Sequence, residues 1–406
     1  MRRVYTWIPW SWSGAVKLYL AGETGSFKFN IMAGVYLHIP YCRKACHYCN
    51  FHFSTSLQTK NEFVEALLKE IEWRKDYIAG QPIDTIYFGG GTPSLLEIDE
   101  LEKITGKLRS HYLVSDAAEI TLEANPDDIT GEKVRNWKSL GINRLSMGIQ
   151  SFYEEDLQWM NRAHDASQAL NCIDLAQNNG IDNITIDLIY GTPTLSDEKW
   201  EANLDRAIAL GIPHLSCYAL TVEPRTALDA LIRKKKLEDV DPEKQAGQFT
   251  MLMEKMDDSG FEHYEISNFA KPGYRSRHNS AYWSGAHYLG LGPSAHSFNG
   301  VSRQWNLANN ALYISAMKNE QPAEEMELLT LAQQANEYIM TALRTMEGLD
   351  LAVFEERFGL KWREEIEKNV DRYRKSGKVE LRAQHLILSR AGKLFADGIA
   401  ADLFIS

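Results

Sequence analysis

The chain is poor in several features that mark whole protein classes. No run reaches the roughly 18 apolar residues that a membrane-spanning helix needs. Basic residues are outnumbered: 44 Lys and Arg stand against 55 Asp and Glu, for a net charge of −11. That balance argues against broad non-specific nucleic-acid binding. Five cysteines in 406 residues are too few for a disulfide framework. There is no internal repeat and no low-complexity segment, and a charged fraction of 24% excludes disorder as the dominant state. The length fits two or three domains of ~100–200 residues, or a barrel with an appendage.

What is present is organised. Residues 1–31 are rich in Trp and small residues, with Arg2 and Arg3 at the start. Pro9, Ser11, Ser13 and Gly14 interrupt the apolar stretch that follows, so it makes a poor secretory signal. We read this stretch as an extension upstream of a start at Met32. From Val35 onward, short β-rich runs alternate with helical periodicity. The runs are Val35–Tyr41, Asp84–Phe88, Glu119–Ala124, Arg144–Ile149, Asn183–Tyr190 and His214–Val222. Between them, Lys60–Ala79, Leu95–His111 and Asp197–Leu210 carry helical spacing, the first with Phe63, Val64, Leu67, Leu68 and Ile71 on one side. Six such units predict an α/β fold with a parallel sheet, a partial (β/α)6 TIM-like barrel whose chemistry sits at the strand C-terminal ends. The barrel is expected over residues 32–265 and a strand and loop extension over 266–325. A small helical, winged-helix-like domain is expected over 326–406. The acidic balance gives that last domain a packing role and makes nucleic acid an unexpected partner.

Three of the five cysteines fall within eight positions, as Cys42-x3-Cys46-x2-Cys49. Three thiolates so spaced fit around one metal or cluster, in a loop that follows the first strand. Iron–sulfur clusters usually take four cysteines, so three would leave one iron free for another ligand. A zinc site completed by His47 or His52 is the competing reading of the spacing alone. Cys172 on a helix and Cys217 in a strand read as buried apolar residues.

With Tyr48 before its last cysteine, the triad is the radical S-adenosylmethionine signature. The stretches YLHIPYCRKACHYCNF, YFGGGTPSLL, LEANPDD, GINRLSMGIQSF, DLIYGTP and YEISNFAKPG resemble the coproporphyrinogen-oxidase-like branch of that family. HNSAYW and YLGLGPSAHSF are similar to the HemW-type haem chaperones. The resemblance implies a [4Fe–4S] cluster on Cys42, Cys46 and Cys49. It also implies S-adenosylmethionine, whose C–S bond a reducing electron would cleave to give a 5′-deoxyadenosyl radical. The residues it places at S-adenosylmethionine are Tyr36, Tyr48, Gly90, Gly91, Thr92, Glu123, Gln150, Arg162, Asp187 and Ala219. For Arg162 the residue-level alternative is an ordinary helix-surface arginine. The motif His278-Asn279-Ser-Ala-Tyr282-Trp283 is the resemblance's haem element. By itself, a histidine beside two aromatics reads as a hydrogen-bonded structural residue. His296 and Cys217 are further candidates for the haem iron.

The pattern departs from the true oxidases, which carry a fourth cysteine two residues after the third. Phe51 stands there. The expectation is therefore a cytoplasmic haem chaperone that binds haem with a cluster and S-adenosylmethionine and delivers it to acceptor proteins. Respiratory-chain acceptors and peripheral membrane contact are compatible with that reading, as is either a monomer or a homodimer. The alternative is an oxygen-independent coproporphyrinogen III oxidase that would decarboxylate two propionates, for which HNxxYW has no use.

Overall fold

The computed structural model describes residues 33–406. The expected extension over residues 1–31 lies outside them. Six parallel strands form the centre: β1 (Ala33–Ile39), β2 (Ile83–Gly90), β3 (Val114–Ala124), β4 (Arg144–Gln150), β5 (Ile184–Tyr190) and β6 (His214–Ala219). Each sits where its apolar run predicts. The alternating face that carries Val35, Leu37 and Ile39 is fully buried against the flanking helices. The helix Lys60–Trp73 buries Phe63, Val64, Leu67 and Ile71, six residues shorter than its periodicity predicts. β6 stops at Ala219, three residues early.

The sheet does not end at six strands. β7 (Glu262–Glu265) and β8 (Asn268–Ala270) add an antiparallel hairpin beside β6. On the other edge, β9 (Tyr288–Leu291) pairs parallel to β1. β10 (His296–Phe298), β11 (Ser302–Asn306) and β12 (Glu324–Leu328) continue antiparallel. The result is one twelve-stranded sheet, so residues 266–325 extend the barrel wall and share its hydrophobic core. Short runs of three to five residues give little periodicity to read, which is why these strands are blurred in the sequence.

A second core gathers Ile339, Leu343, Phe354, Ile366, Val370, Leu386 and Ile399. Its helices Leu331–Leu343, Leu351–Phe358 and Leu360–Lys375 pack with a three-stranded antiparallel sheet. The strands are β13 (Leu349–Asp350), β14 (Val379–Arg382) and β15 (His385–Leu388), with β15 central. The chain closes with two short helices, Arg390–Lys393 and Ala396–Asp402. No helix among the described residues is long and apolar enough to cross a membrane.

The extension is fastened by charge. Glu70, 1% exposed, points from the helix Lys60–Trp73 into the β9–β11 wall. It accepts hydrogen bonds from Gly292 N at 2.7 Å, Asn306 Nδ2 at 2.6 Å and the Tyr313 hydroxyl at 2.7 Å. Arg74, one turn on, donates to Gly290 O, Ser297 Oγ and Gln304 Oε1. The two side chains are 3.6 Å apart. Removing one member of such a pair strands the other without water. Glu70→Ala is expected to cost about 3–5 kcal/mol, the range for breaking a buried pair, read as a lower urea midpoint. Glu70→Gln should cost less, because it keeps an acceptor for the three donors.

Candidate functional site

The cysteine loop leaves the C-terminal end of β1. Cys42 N donates to Ser54 O and Ser54 N to Pro40 O, which closes the base of the loop. The far side is pinned to the segment after the helix Glu154–Trp159, through His47 N to Met160 O and Asn161 Nδ2 to Ala45 O. All five cysteines are free, and Cys42, Cys46 and Cys49 are half-buried while Cys172 and Cys217 are buried. Burial pushes the Cys42 thiol up to about 11, against a hydrogen bond with Thr92. The other two thiols are close enough to add to that rise.

Arg162 is not a helix-surface residue. It lies past the end of the helix Glu154–Trp159, after a left-handed Asn161, and turns inward. Nη1 lies 3.2 Å from Cys46 Sγ and 3.4 Å from the Tyr48 hydroxyl. Nη2 donates to Asn125 Oδ1 at 2.8 Å and to Gly148 O at 2.9 Å. One guanidinium thus ties the cysteine loop to the ends of β3 and β4 and sets a fixed positive charge against the thiols. A charge so placed favours thiolates, the form that binds metal. Soft donors, no competing disulfide and this counter-charge fit an iron–sulfur cluster. The zinc alternative finds its histidines engaged elsewhere: His47 Nδ1 with Trp159 O at 3.0 Å, and His52 Nε2 with Asn310 Oδ1 at 2.7 Å. Among the described residues, no three His, Cys, Asp or Glu side chains converge as a preformed metal site.

The glycine run ends β2 beside this loop. A Cβ on Gly90 would come within 2.7 Å of His38 Nδ1, and one on Gly91 within 2.6 Å of Tyr41 O. Close approach to β1 therefore requires both glycines before any ligand is considered. Thr92 N donates to Tyr41 O at 2.7 Å. Gln150 ends β4 in a left-handed conformation, and Ala219 lies exposed at the end of β6. Tyr36 and Tyr87 stack inside the barrel, and the Tyr87 hydroxyl donates to Glu123 at 2.8 Å. Asp187 faces the same interior from β5. The cluster loop and the residues expected at S-adenosylmethionine thus share one end and the adjoining interior of the barrel.

His278 is elsewhere. Its helix, Arg277–Trp283, sits beneath the N-terminal ends of the strands. The ring is 2% exposed and stacks on Tyr87. Nδ1 bonds the Thr85 hydroxyl at 2.8 Å, and Nε2 bonds the Tyr282 hydroxyl at 3.2 Å. Its backbone N–H donates to Glu119. Burial, then Arg144, pushes it down to about 3, so it is neutral at physiological pH. The Trp283 ring lies under the Arg344 guanidinium at 5.3 Å. HNxxYW in this structure closes the barrel floor, and iron ligation by His278 would first have to break these bonds.

A polar layer continues across that floor. Arg144 donates to the Thr185 hydroxyl, and Thr185 is 3.0 Å from His214 Nδ1. Because arginine only donates, Thr185 accepts from it and donates to Nδ1. His214 Nε2–H then donates to the Tyr264 hydroxyl at 2.7 Å. Sequence reasoning passed over Arg144, Thr185 and His214; their only signal is polar residues at alternate positions of apolar strands.

The interior carboxyls generate a pH dependence. Burial, then Asp187, pushes Glu123 up to about 7, and burial pushes Asp187 up to about 6. Both hold protons more tightly folded than unfolded. Their contribution to stability is therefore complete below the unfolded values of about 4 and is lost as pH rises through the folded values. Metal-free protein should become less stable in urea between about pH 5 and pH 7.5, and Glu123→Gln with Asp187→Asn should flatten that slope. An unchanged slope in the double variant would assign the effect to other groups.

Comparison with known proteins agrees with this geometry. The Radical SAM superfamily model matches residues 36–207, and the HemN C-terminal domain model matches residues 329–395. The chain is 35% identical over 334 residues to the heme chaperone HemW of Bacillus subtilis, covering 81% of this chain and 87% of that one. It is 32% identical over 375 residues to the heme chaperone HemW of Mycobacterium tuberculosis, covering 91% and 94%. Among solved structures, Escherichia coli coproporphyrinogen III oxidase HemN, a radical SAM enzyme, superposes with a TM-score of 0.80 over 93% of this chain and 91% of that one. Its sequence identity is 24%, so that likeness speaks to the fold. With two such relatives matched across most of their length, the chain belongs to the HemW heme-chaperone family of radical SAM proteins.

Proposed function

We propose that this protein binds haem and delivers it to haem-requiring acceptor proteins in the cytoplasm. It would hold a [4Fe–4S] cluster on Cys42, Cys46 and Cys49. The observation that carries the reading is the free three-thiol loop at the mouth of a barrel whose family is the haem chaperones. When bound, the cluster supplies one-electron reducing power and an open iron site for S-adenosylmethionine. Arg162 would balance the charge of the thiolates and fix the loop against β3 and β4. Gly90, Gly91 and Thr92 would line the ligand's edge, with Glu123 and Asp187 offering acceptors to its ribose or ammonium. Tyr36, Tyr48, Gln150 and Ala219 complete the surroundings. These residues bind and orient; none of them is assigned a catalytic step.

Phe51, 67% exposed, occupies the position of the oxidases' fourth cysteine and offers the mouth an apolar face instead of a thiol. This favours cargo binding over porphyrinogen turnover.

Two measurements test the reading. Replacing Cys42, Cys46 and Cys49 together by Ala should remove the iron and the broad absorption near about 400 nm that thiolate-bound clusters give. Iron content equal to that of the unaltered protein would end the cluster assignment. Anaerobic haemin titration of the reconstituted protein should give saturable binding near one haem per chain, followed by the Soret band. Absence of saturation, with coproporphyrinogen consumed in the presence of a reductant and S-adenosylmethionine, would replace the chaperone by the oxidase.

A further inference from the structure

The cysteine loop carries a guanidinium of its own. Arg43 follows Cys42 directly and so lies inside the triad. Its partners are two carboxylates of the turn after β3. Nη2 stands 2.7 Å from Asp128 Oδ1, and Nη1 stands 3.7 Å from Asp127 Oδ2.

This is not an ordinary surface contact. The Arg43 side chain is half exposed, but that of Asp128 is fully buried. Pairs exposed on both sides are worth little, whereas a carboxylate held out of water depends on its partner. Asp128 is also fixed from behind. The Ser94 hydroxyl donates to its Oδ2 at 2.8 Å, and Asn125 N donates to Ser94 Oγ at 3.3 Å. Lys133 Nζ donates to Ser94 O at 3.0 Å. Pro126 opens the short helical turn Pro126–Asp128 and restricts its backbone. Asp127 Oδ1 is buried without a hydrogen-bond partner among the described residues. The turn therefore holds more negative charge than Arg43 alone uses.

The same turn grips the other arginine. Asn125 Oδ1 accepts from Arg162 Nη2, and Asn125 Nδ2 donates to Thr92 Oγ1 at 3.3 Å. Thr92 in turn bonds Cys42. Residues 125–128 thus hold the cysteine loop from two sides, and the sides differ in charge. Besides the Cys46 thiol, Arg162 meets an amide, a carbonyl and a hydroxyl, and no carboxylate pairs with it among the described residues. Its charge is left for the thiolates. Arg43 meets two carboxylates, so its charge is cancelled beside Cys42.

The difference matters for an iron–sulfur cluster. Reduction adds a negative charge, so an uncancelled cation nearby favours the reduced form and raises the potential. A free arginine beside Cys42, added to Arg162 beside Cys46, would make the cluster a weaker reductant. We propose that Asp128, together with Asp127, is a positioning residue that withholds the Arg43 charge from the cluster and keeps its potential low. The proposal rests on the cluster-binding reading and concerns how this chain tunes that cluster.

The test is an anaerobic potentiometric titration of cluster-reconstituted protein, followed by electron paramagnetic resonance of the reduced cluster. Asp128→Asn should move the midpoint to a more positive potential, and Asp127→Asn should move it the same way by less. Arg43→Gln should move it to a more negative potential, because two carboxylates then stand uncancelled. Arg43→Lys should stay near the wild type. The double variant Arg43→Gln with Asp128→Asn should return most of the way to the wild-type midpoint. Opposite signs are what a purely structural role does not give, since loosening the loop from either end admits water in the same manner. If Asp128→Asn takes up no cluster, the comparison of Asp127→Asn with Arg43→Gln decides. Midpoints that are unchanged, or that shift in one direction for both the arginine and the aspartate variants, would overturn the proposal while leaving cluster binding intact. A wild type that takes up no iron would overturn the cluster reading and this proposal with it.

Discussion

The structure depends on one buried carboxylate. Glu70 leaves the first helix on the outside of the barrel and gathers donors from three segments more than two hundred residues away. Without it, β9 through β11 would be short strands with little apolar surface to hold them on β1. With it, the wall of the barrel widens on one side, and the turn at Gly292 is pressed against the end of β1. The cysteine loop and the β10 face become neighbours because the same helix anchors both ends of that junction. Arg74 completes the arrangement by taking up carbonyl, hydroxyl and amide acceptors that would otherwise be buried unpaired.

The barrel interior follows a second constraint. A parallel barrel of six strands leaves a lumen that must be filled. Here it is filled by polar side chains, graded along the axis. At the floor, Arg144, Thr185, His214 and Tyr264 form a donor-to-acceptor chain, and HNxxYW caps it. Higher up stand Tyr36, Tyr87, Glu123 and Asp187, with the Tyr87 hydroxyl bonded to Glu123. At the mouth, the thiols of the cysteine loop face a single guanidinium.

Much of this was legible in the sequence. The six strands announce themselves because both of their faces are buried, and apolar runs ending in Gly, Asn or Gln survive without an alignment. The cysteine triad and the glycine run are local patterns and need no fold to be seen. What the sequence hides is long-range. Arg162 lies 116 residues from Cys46 along the chain; the resemblance names it, but nothing near it shows that it falls past the end of its helix and reaches the cysteine loop. His278 is conspicuous beside Tyr282 and Trp283, yet its partners Thr85 and Glu119 come from strands far upstream.

The link between the two cores has an implication for how the chain can be divided. Glu265, 1% exposed at the end of β7, receives the guanidinium of Arg344 at 2.9 Å, and Arg344 also covers Trp283 and reaches Asp397. The last eighty residues thus neutralise a charge inside the barrel's hairpin and roof the helix that seals its floor. A polypeptide ending near residue 329 would keep every strand of the large sheet and lose the counter-ion for a buried carboxylate. The C-terminal region is in that sense part of the barrel's electrostatic balance. Evolution could replace it only by a module that brings a cation to the same place.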